Sequence, residues 1–316
     1  MKNIAVKHKV LKQASLPDQL NAQLNALYDV YEYNDMAAGE FDRLAAEFRV
    51  VLTNGEAVVS REFIERLPNL ELISDFGVGY DGIDVAAARE RDIAVTHTPG
   101  VLTDDVADLA MGLILATSRQ IPGAQRFIEE GAWQKGGYPW TRKVSGARLG
   151  IIGMGRIGRT IAKRAAAFDM SIAYTDRAAL ADMDYTFHAT LLSLAEASDF
   201  LVVCTNGGAE TRGLVNRDVL NALGAEGILI NISRGSVVDE RALIEAIEEG
   251  TLGGAGLDVF TDEPQVPQAL LHRANVVATP HMASATWATR KEMSRLVLEN
   301  VNAYFSGEPL VTPIPQ

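Results

Sequence analysis

The sequence predicts an α/β protein of two domains, each built on a parallel sheet, the larger doubly wound around a dinucleotide-binding unit. Three observations carry this. A glycine-rich turn lies between a strand-like run and a helical run. Short apolar runs alternate with helical patterns on both sides of that turn, as in sheets joined by helical crossovers. The chain has 316 residues, enough for two domains that share an active-site cleft.

The glycine turn lies in residues 147–177. Leu149, Ile151 and Ile152 form an apolar run that suits a buried parallel strand. Gly153, Gly155 and Gly158 follow in G-x-G-x-x-G spacing, and Ile157, Ile161, Ala165 and Phe168 then recur at helical spacing. Residues 170–174 read as a second strand ending at Asp176. This is the β-turn-α-β unit of a Rossmann domain. Gly153 permits the tight turn, Gly155 the close approach of a pyrophosphate, and Gly158 close packing of helix on strand. The helix start offers N–H groups and a partial positive charge. Asp176 is placed to accept from the adenosine ribose hydroxyls. A structural turn could use the same glycines; the flanking strand, helix and acid favour a nucleotide.

The formal charge of −12 and a pI near 4.9 argue against a nucleic-acid surface. They also require a local positive site for any anionic substrate. Cys204 is the only cysteine, so no intrachain disulfide is possible and a reducing compartment fits. The first ten residues lack an apolar signal core and no run reaches transmembrane length. A cytoplasmic protein with no membrane partner is expected, without a metal site.

In residues 1–98, strands are expected at 26–31, 50–52, 72–74 and 93–96, with helices at 41–48 and 60–67. The loop Ser74-Asp-Phe-Gly-Val-Gly-Tyr-Asp-Gly exposes backbone N–H groups that can hold a carboxylate; a plain glycine turn is the alternative. Residues 103–118 are apolar nearly all round and read as a helix buried between lobes or subunits, with Thr103 as its cap. The aromatic stretch 131–145 reads as an interface or cleft rim, with Arg142 open to cofactor or partner.

Four further strands, at 200–204, 228–232, 255–259 and 276–278, bring the second sheet to six. Ligands of such a sheet bind at the carboxyl ends of its strands. Those ends carry Asn231-Ile-Ser-Arg234, then Asp258-Val-Phe-Thr-Asp-Glu263, then Thr279-Pro-His281. Arg234 can grip a carboxylate or polarise a carbonyl. His281 can exchange a proton near neutral pH, and Glu263 can hold it protonated and fix its tautomer. Each alone could be a surface or turn residue; three at successive strand ends are hard to assign to chance. His8, His97, His188 and His272 read as structural or surface residues.

Through G-V-G-Y-D-G-I-D, T-P-G-V-L-T-D-D-V-A-D-L-A, G-M-G-R-I-G, N-I-S-R-G-S-V-V-D-E, G-L-D-V-F-T-D-E-P and T-P-H-M-A-S-A-T, the whole chain resembles the D-isomer-specific 2-hydroxyacid dehydrogenases. It looks most like their glyoxylate/hydroxypyruvate reductase branch. The resemblance implies a smaller flavodoxin-like substrate domain from residues 1–98 and 287–316, and an NAD(P)-binding Rossmann domain from 99–286. It implies Arg234, Glu263 and His281 as the catalytic trio, and Val78 and Gly79 as N–H donors to the substrate carboxylate beside Arg234. Asp258 would hold the nicotinamide amide. The wider cofactor set would be Gly153, Gly155, Arg156, Ile157, Gly158, Asp176, Arg177, Cys204, Thr205, Ile232, Ser233, Asp258, His281 and Ala283. A homodimer joined through the cofactor domain is implied. With only residues 282–316 after His281, the extra regulatory domain of some phosphoglycerate dehydrogenases is not expected.

Two features depart from the branch. Asp176-Arg177 stands where a neutral residue often precedes the arginine; the carboxylate favours NADH, whereas Arg177 could admit NADPH. Cys204 stands where a proline is common. The expected activity is reduction of glyoxylate and hydroxypyruvate to D-2-hydroxy acids with NAD(P)H. The rivals are a dehydrogenase for a larger keto acid such as 2-ketogluconate, and a non-catalytic NAD(H)-sensing protein.

Overall fold

The computed structural model describes residues 7–55 and 57–315. Residues 1–6, on which part of the signal-segment reading falls, lie outside that range. The chain divides into two compact units, Met1–Leu102 with Thr286–Gln316, and Thr103–Ala285.

The first unit runs Lys9–Lys12 (β1), Asp18–Leu27 (α1), Asp29–Glu32 (β2), Glu40–Leu44 (α2), Val50–Asn54 (β3), Arg61–Glu65 (α3), Leu72–Phe76 (β4), Val85–Glu90 (α4) and Ala94–Thr96 (β5). Its strands are all parallel in the order β2-β1-β3-β4-β5, the flavodoxin-like winding. Leu11, Val51 and Ile73 bury one sheet face against Phe48, Ile64 and Leu67. Side chains cap the short helices: Ser60 Oγ accepts from Phe63 N, and Asp84 accepts from Ala87 N. The expected strand at 26–31 begins later. Leu20 and Leu24 recur at helical spacing and are buried, so α1 takes Ala26 and Leu27, and extended backbone starts at Tyr28.

The unit closes with a C-terminal helix, Trp287–Ser306, and a short tail. The tail runs antiparallel beside β5, with Ile314 N donating to Val95 O at 2.9 Å and His97 N to Thr312 O at 3.1 Å. Buried Asn300 on the helix ties the tail down, its Oδ1 accepting from Val311 N and Thr312 N.

The second unit opens with two helices, Thr103–Ser118 (α5) and Ile121–Glu129 (α6). Its strands and helices then alternate as Arg148–Ile152 (β6), Arg156–Ala166 (α7), Ser171–Thr175 (β7), Thr186–Phe187 (β8), Leu191–Glu196 (α8), Phe200–Val203 (β9), Arg217–Leu223 (α9), Ile228–Asn231 (β10), Glu240–Glu249 (α10), Gly254–Leu257 (β11) and Val276–Ala278 (β12). All strands pair in parallel in the order β12-β11-β10-β9-β6-β7-β8. The chain reverses direction between β6 and β9, the switch point where a doubly wound sheet opens for a ligand. There are seven strands rather than the expected six; the extra one, β8, has two residues and no apolar run to announce it.

Helix α5 buries Val106, Ala107, Ala110, Leu113 and Ile114 and lies on β10 and β11 of its own unit. Arg142, left open between cofactor and partner, is used internally. Its Nη2 donates to Asp199 Oδ1 at 2.9 Å and its guanidinium lies over the Phe200 ring. In the aromatic stretch, Tyr138 packs edge-on against Phe127, whereas Trp133 and Trp140 are exposed. Among the described residues no helix is long and apolar enough to cross a membrane.

Candidate active site

The nucleotide loop follows β6. Gly153 takes a positive φ of 93° and its N–H donates to Thr175 O at 3.0 Å. A side chain there would press on the Thr205 backbone at 3.1 Å, because the turn after β9 crosses directly over it. A Cβ on Gly158 would overlap the Gly153 carbonyl, so α7 sits against the turn only because that position is glycine. A Cβ on Gly155 would meet nothing within 4 Å. Open space therefore faces the start of α7, where Arg156 and Ile157 form the first turn. That combination fits a pyrophosphate. Asp176 ends β7 with Oδ2 accepting from Met154 N at 2.8 Å and Oδ1 from Arg177 N at 2.7 Å; the Arg177 side chain is exposed. Cys204 Sγ donates to Gly153 O at 3.0 Å. Burial, followed by the Asp176 charge, pushes its thiol pKa up to about 12.

The catalytic candidates sit on three adjacent strand ends, after β10, β11 and β12. Asn231 shapes the first turn: its Oδ1 accepts from Ser233 N and Oγ, both at 3.1 Å, and its Nδ2 donates to Arg234 O at 3.0 Å. Ile232 and Ser233 are buried beneath it. Gly235 comes next, and a Cβ there would overlap the Phe260 carbonyl group. This contact brings the Arg234 turn against the turn that carries Glu263.

Glu263 Oε1 accepts from Phe260 N at 2.8 Å and Oε2 faces His281 Nδ1 at 2.7 Å. Burial raises its pKa, but the His281 hydrogen bond, the Phe260 N–H and the charges of His281 and Arg234 outweigh it. The net shift is below the ordinary value. Glu263 is therefore a carboxylate at neutral pH, so Nδ1 carries the proton of that bond.

His281 adopts a left-handed backbone, φ 47°, uncommon outside glycine. Asp258 holds it there. The Asp258 carboxylate is fully buried and accepts from Thr279 Oγ1 at 2.6 Å, Met282 N at 2.9 Å and Ala283 N at 2.9 Å. Its carbonyl also accepts from His281 N at 2.8 Å. Burial raises the Asp258 pKa in spite of these donors.

The second unit thus brings together Arg234, Glu263 and His281, with Asp258 and Ala283 beneath, and places Gly153, Gly155, Gly158, Asp176, Cys204 and Thr205 around the nucleotide loop. Val78 and Gly79 lie in the first unit, just after β4. Sequence reasoning overlooked Asn231, Thr279 and Gly235. An Asn two residues before Ser233 is a readable turn signal; nothing local marks the other two.

Known proteins resemble this chain over most of its length. Residues 111–283 match the family model "D-isomer specific 2-hydroxyacid dehydrogenase, NAD binding domain". A hydroxyphenylpyruvate reductase of Plectranthus scutellarioides is 46% identical over 307 residues, covering 96% of this chain and 98% of its own. A glyoxylate/hydroxypyruvate reductase A of Arabidopsis thaliana is 49% identical over 266 residues, 84% of this chain and 85% of its own. A solved NADPH-dependent glyoxylate/hydroxypyruvate reductase of Sinorhizobium meliloti, in complex with NADP and malonate, is 40% identical. It superposes with a TM-score of 0.90 over 98% of this chain and 97% of its own.

Proposed function

The chain belongs to the D-isomer-specific 2-hydroxyacid dehydrogenases, and we propose that it reduces small 2-keto acids, glyoxylate and hydroxypyruvate, to D-2-hydroxy acids. The observation that carries this is the Glu263–His281 pair, 2.7 Å apart, with Arg234 on the neighbouring strand end of a dinucleotide-binding sheet. Bound NAD(P)H supplies the hydride for the carbonyl carbon. Arg234 grips the substrate carboxylate and polarises the keto oxygen, stabilising charge as it develops. The N–H groups of Val78 and Gly79, in the first unit, are of a kind that can likewise donate to a substrate carboxylate. Nδ1 of His281 is engaged by Glu263, so Nε2 delivers the proton to the oxygen. The neutral imidazole left behind regains a proton from solvent. Glu263 favours the protonated ring before the transfer.

Asp176 supports NADH over NADPH. Its carboxylate is fixed on the glycine loop by Met154 N, where a ribose 2′-phosphate would meet a negative charge. A homodimer is supported by α6, which has no buried residue. It exposes Ile121 and Ile128, and Trp133 and Trp140, which follow it in the chain, are exposed as well. The lone cysteine suits a reducing compartment, and we place the protein in the cytoplasm.

The test is oxidation of NADH and of NADPH with glyoxylate, hydroxypyruvate, 2-ketogluconate and hydroxyphenylpyruvate. Faster turnover of the first two with NADH is expected. The last acid is included because of the similarity to a hydroxyphenylpyruvate reductase. Preference for either large acid would overturn the substrate assignment. Nucleotide binding with no turnover of any acid would favour the sensing alternative.

A further inference from the structure

We propose that His97 is a positioning residue for the Val78–Gly79 loop, and that the C-terminal tail braces it through Thr312. The inference rests on the reading of that loop as the substrate-carboxylate site.

In a trans peptide the C=O and N–H point in opposite directions and turn together. The N–H of Val78 belongs to the peptide whose carbonyl is Gly77 O. The N–H of Gly79 belongs to the peptide whose carbonyl is Val78 O. Both carbonyls are held by consecutive residues just after β5. Thr98 donates to Gly77 O twice, from its backbone N at 2.7 Å and from Oγ1 at 3.0 Å. The His97 ring meets Val78 O through Nδ1 at 3.0 Å. A carbonyl can only accept, so Nδ1 carries the proton. Fixing these two oxygens fixes where the two N–H groups aim, and a hydrogen bond to a carbonyl strengthens its own amide as a donor. Strand β4 ends at Phe76, so these peptides lie beyond the β3–β4–β5 ladder.

His97 is itself clamped. Its backbone N donates to Thr312 O at 3.1 Å, and its carbonyl accepts from Thr312 Oγ1 at 2.6 Å. Thr312 in turn accepts at Oγ1 from Asn300 Nδ2 at 2.8 Å, and Asn300 is buried on the C-terminal helix. The Tyr80 ring stands edge-on to the imidazole, 5.5 Å between centroids. The relay Asn300–Thr312–His97–Val78 thus joins the last residues of the chain to a loop after its fourth strand. Thr98 is wholly buried; His97 is not, so its replacement can be read without losing the fold.

The test compares wild type with His97→Leu, His97→Asn and Thr312→Val. Asparagine can present an amide N–H close to the Nδ1 position; leucine cannot. His97→Leu should raise KM for the keto acid by about tenfold, the scale of one hydrogen bond to a charged site. KM for the nicotinamide cofactor and the melting temperature should hold. His97→Asn should recover most of the loss, and Thr312→Val should show a smaller rise. Amide hydrogen exchange in residues 77–80 should quicken in His97→Leu and return in His97→Asn. Unchanged exchange there overturns the proposal, whatever the activity. Quickened exchange with an unchanged keto-acid KM overturns the carboxylate-site reading instead. Equal losses in both His97 variants would also overturn the donor role.

Discussion

The two loops proposed to offer backbone N–H groups to an anion are held in different ways. The Gly153 loop follows β6 and is pinned by residues at the end of its neighbour β7. Thr175 and Asp176 accept its N–H groups from Gly153 and Met154. The Val78 loop follows β4 and is pinned by residues just past its neighbour β5. There His97 and Thr98 take the carbonyl ends of the peptides. Parallel sheets make both arrangements available, because adjacent strands end side by side. The difference lies in what remains to bind a ligand. The first loop spends two N–H groups on its own shape and relies on open space at Gly155 and the start of α7. The second holds its peptides by their oxygens and aims their N–H ends elsewhere. Glycines shape the first loop together with Asp176, 22 residues beyond Met154. The second uses His97, 19 residues beyond Val78, which is braced in turn by Thr312, 215 residues further along the chain.

The largest effect tests whether chemistry is separable from both loops. His281→Ala should lower kcat by about a thousandfold or more, the span of general acid catalysis, while nucleotide affinity changes little. Turnover within a few fold of wild type would break the assignment. Next comes the shape of the nucleotide loop. Gly158→Ala drives a methyl into the Gly153 carbonyl. NADH affinity, read by fluorescence titration, should fall about a hundredfold, roughly 2.7 kcal/mol. Exchange in residues 77–80 should be unaffected. A simultaneous loosening there would mean the two loops are not independent.

A smaller effect sharpens what Asp176 does. Asp176→Ser keeps a polar group at the ribose and removes the charge. The ratio of kcat/KM for NADPH to that for NADH should rise about tenfold, one pKa-unit equivalent of charge interaction. An unchanged ratio would assign cofactor choice to Arg177 or Arg156. The smallest concerns Cys204, whose thiol donates into the same loop. Its folded pKa of about 12 lies above the ordinary 9.0. The neutral thiol therefore contributes stability fully below pH 9, and that contribution is lost as pH rises towards 12. Alkylation by iodoacetamide at pH 8 should be much slower in the native protein than in urea. Equal rates would place the thiolate in reach and the sulfur away from Gly153.

The glycine loop, Asp176 and the trio at the strand ends were legible because each depends on short-range features. Strand runs show in apolar periodicity, the turn shows in glycines that φ and close approach require, and ligands gather where strands end. The exposed aromatic stretch was likewise visible in part, since Trp133, Tyr138 and Trp140 could not all fit a core in so short a loop, and Trp133 and Trp140 are exposed.

Other features depended on contacts between segments that the chain does not place side by side. The carbonyl of Phe260 makes glycine obligatory at 235. Asp258 receives three donors from the turn after the next strand, which sets His281 in a left-handed backbone. His97 read as an ordinary histidine, yet it meets Val78 O and is braced by Thr312, 215 residues away along the chain. The sequence by itself determined the two sheets, the nucleotide turn and the placing of the proposed reacting groups at strand ends, because local sterics and periodicity write those into neighbouring letters. Only the tertiary structure decided how those groups are aimed, because aim depends on hydrogen bonds between strand ends whose separation in sequence carries no pattern.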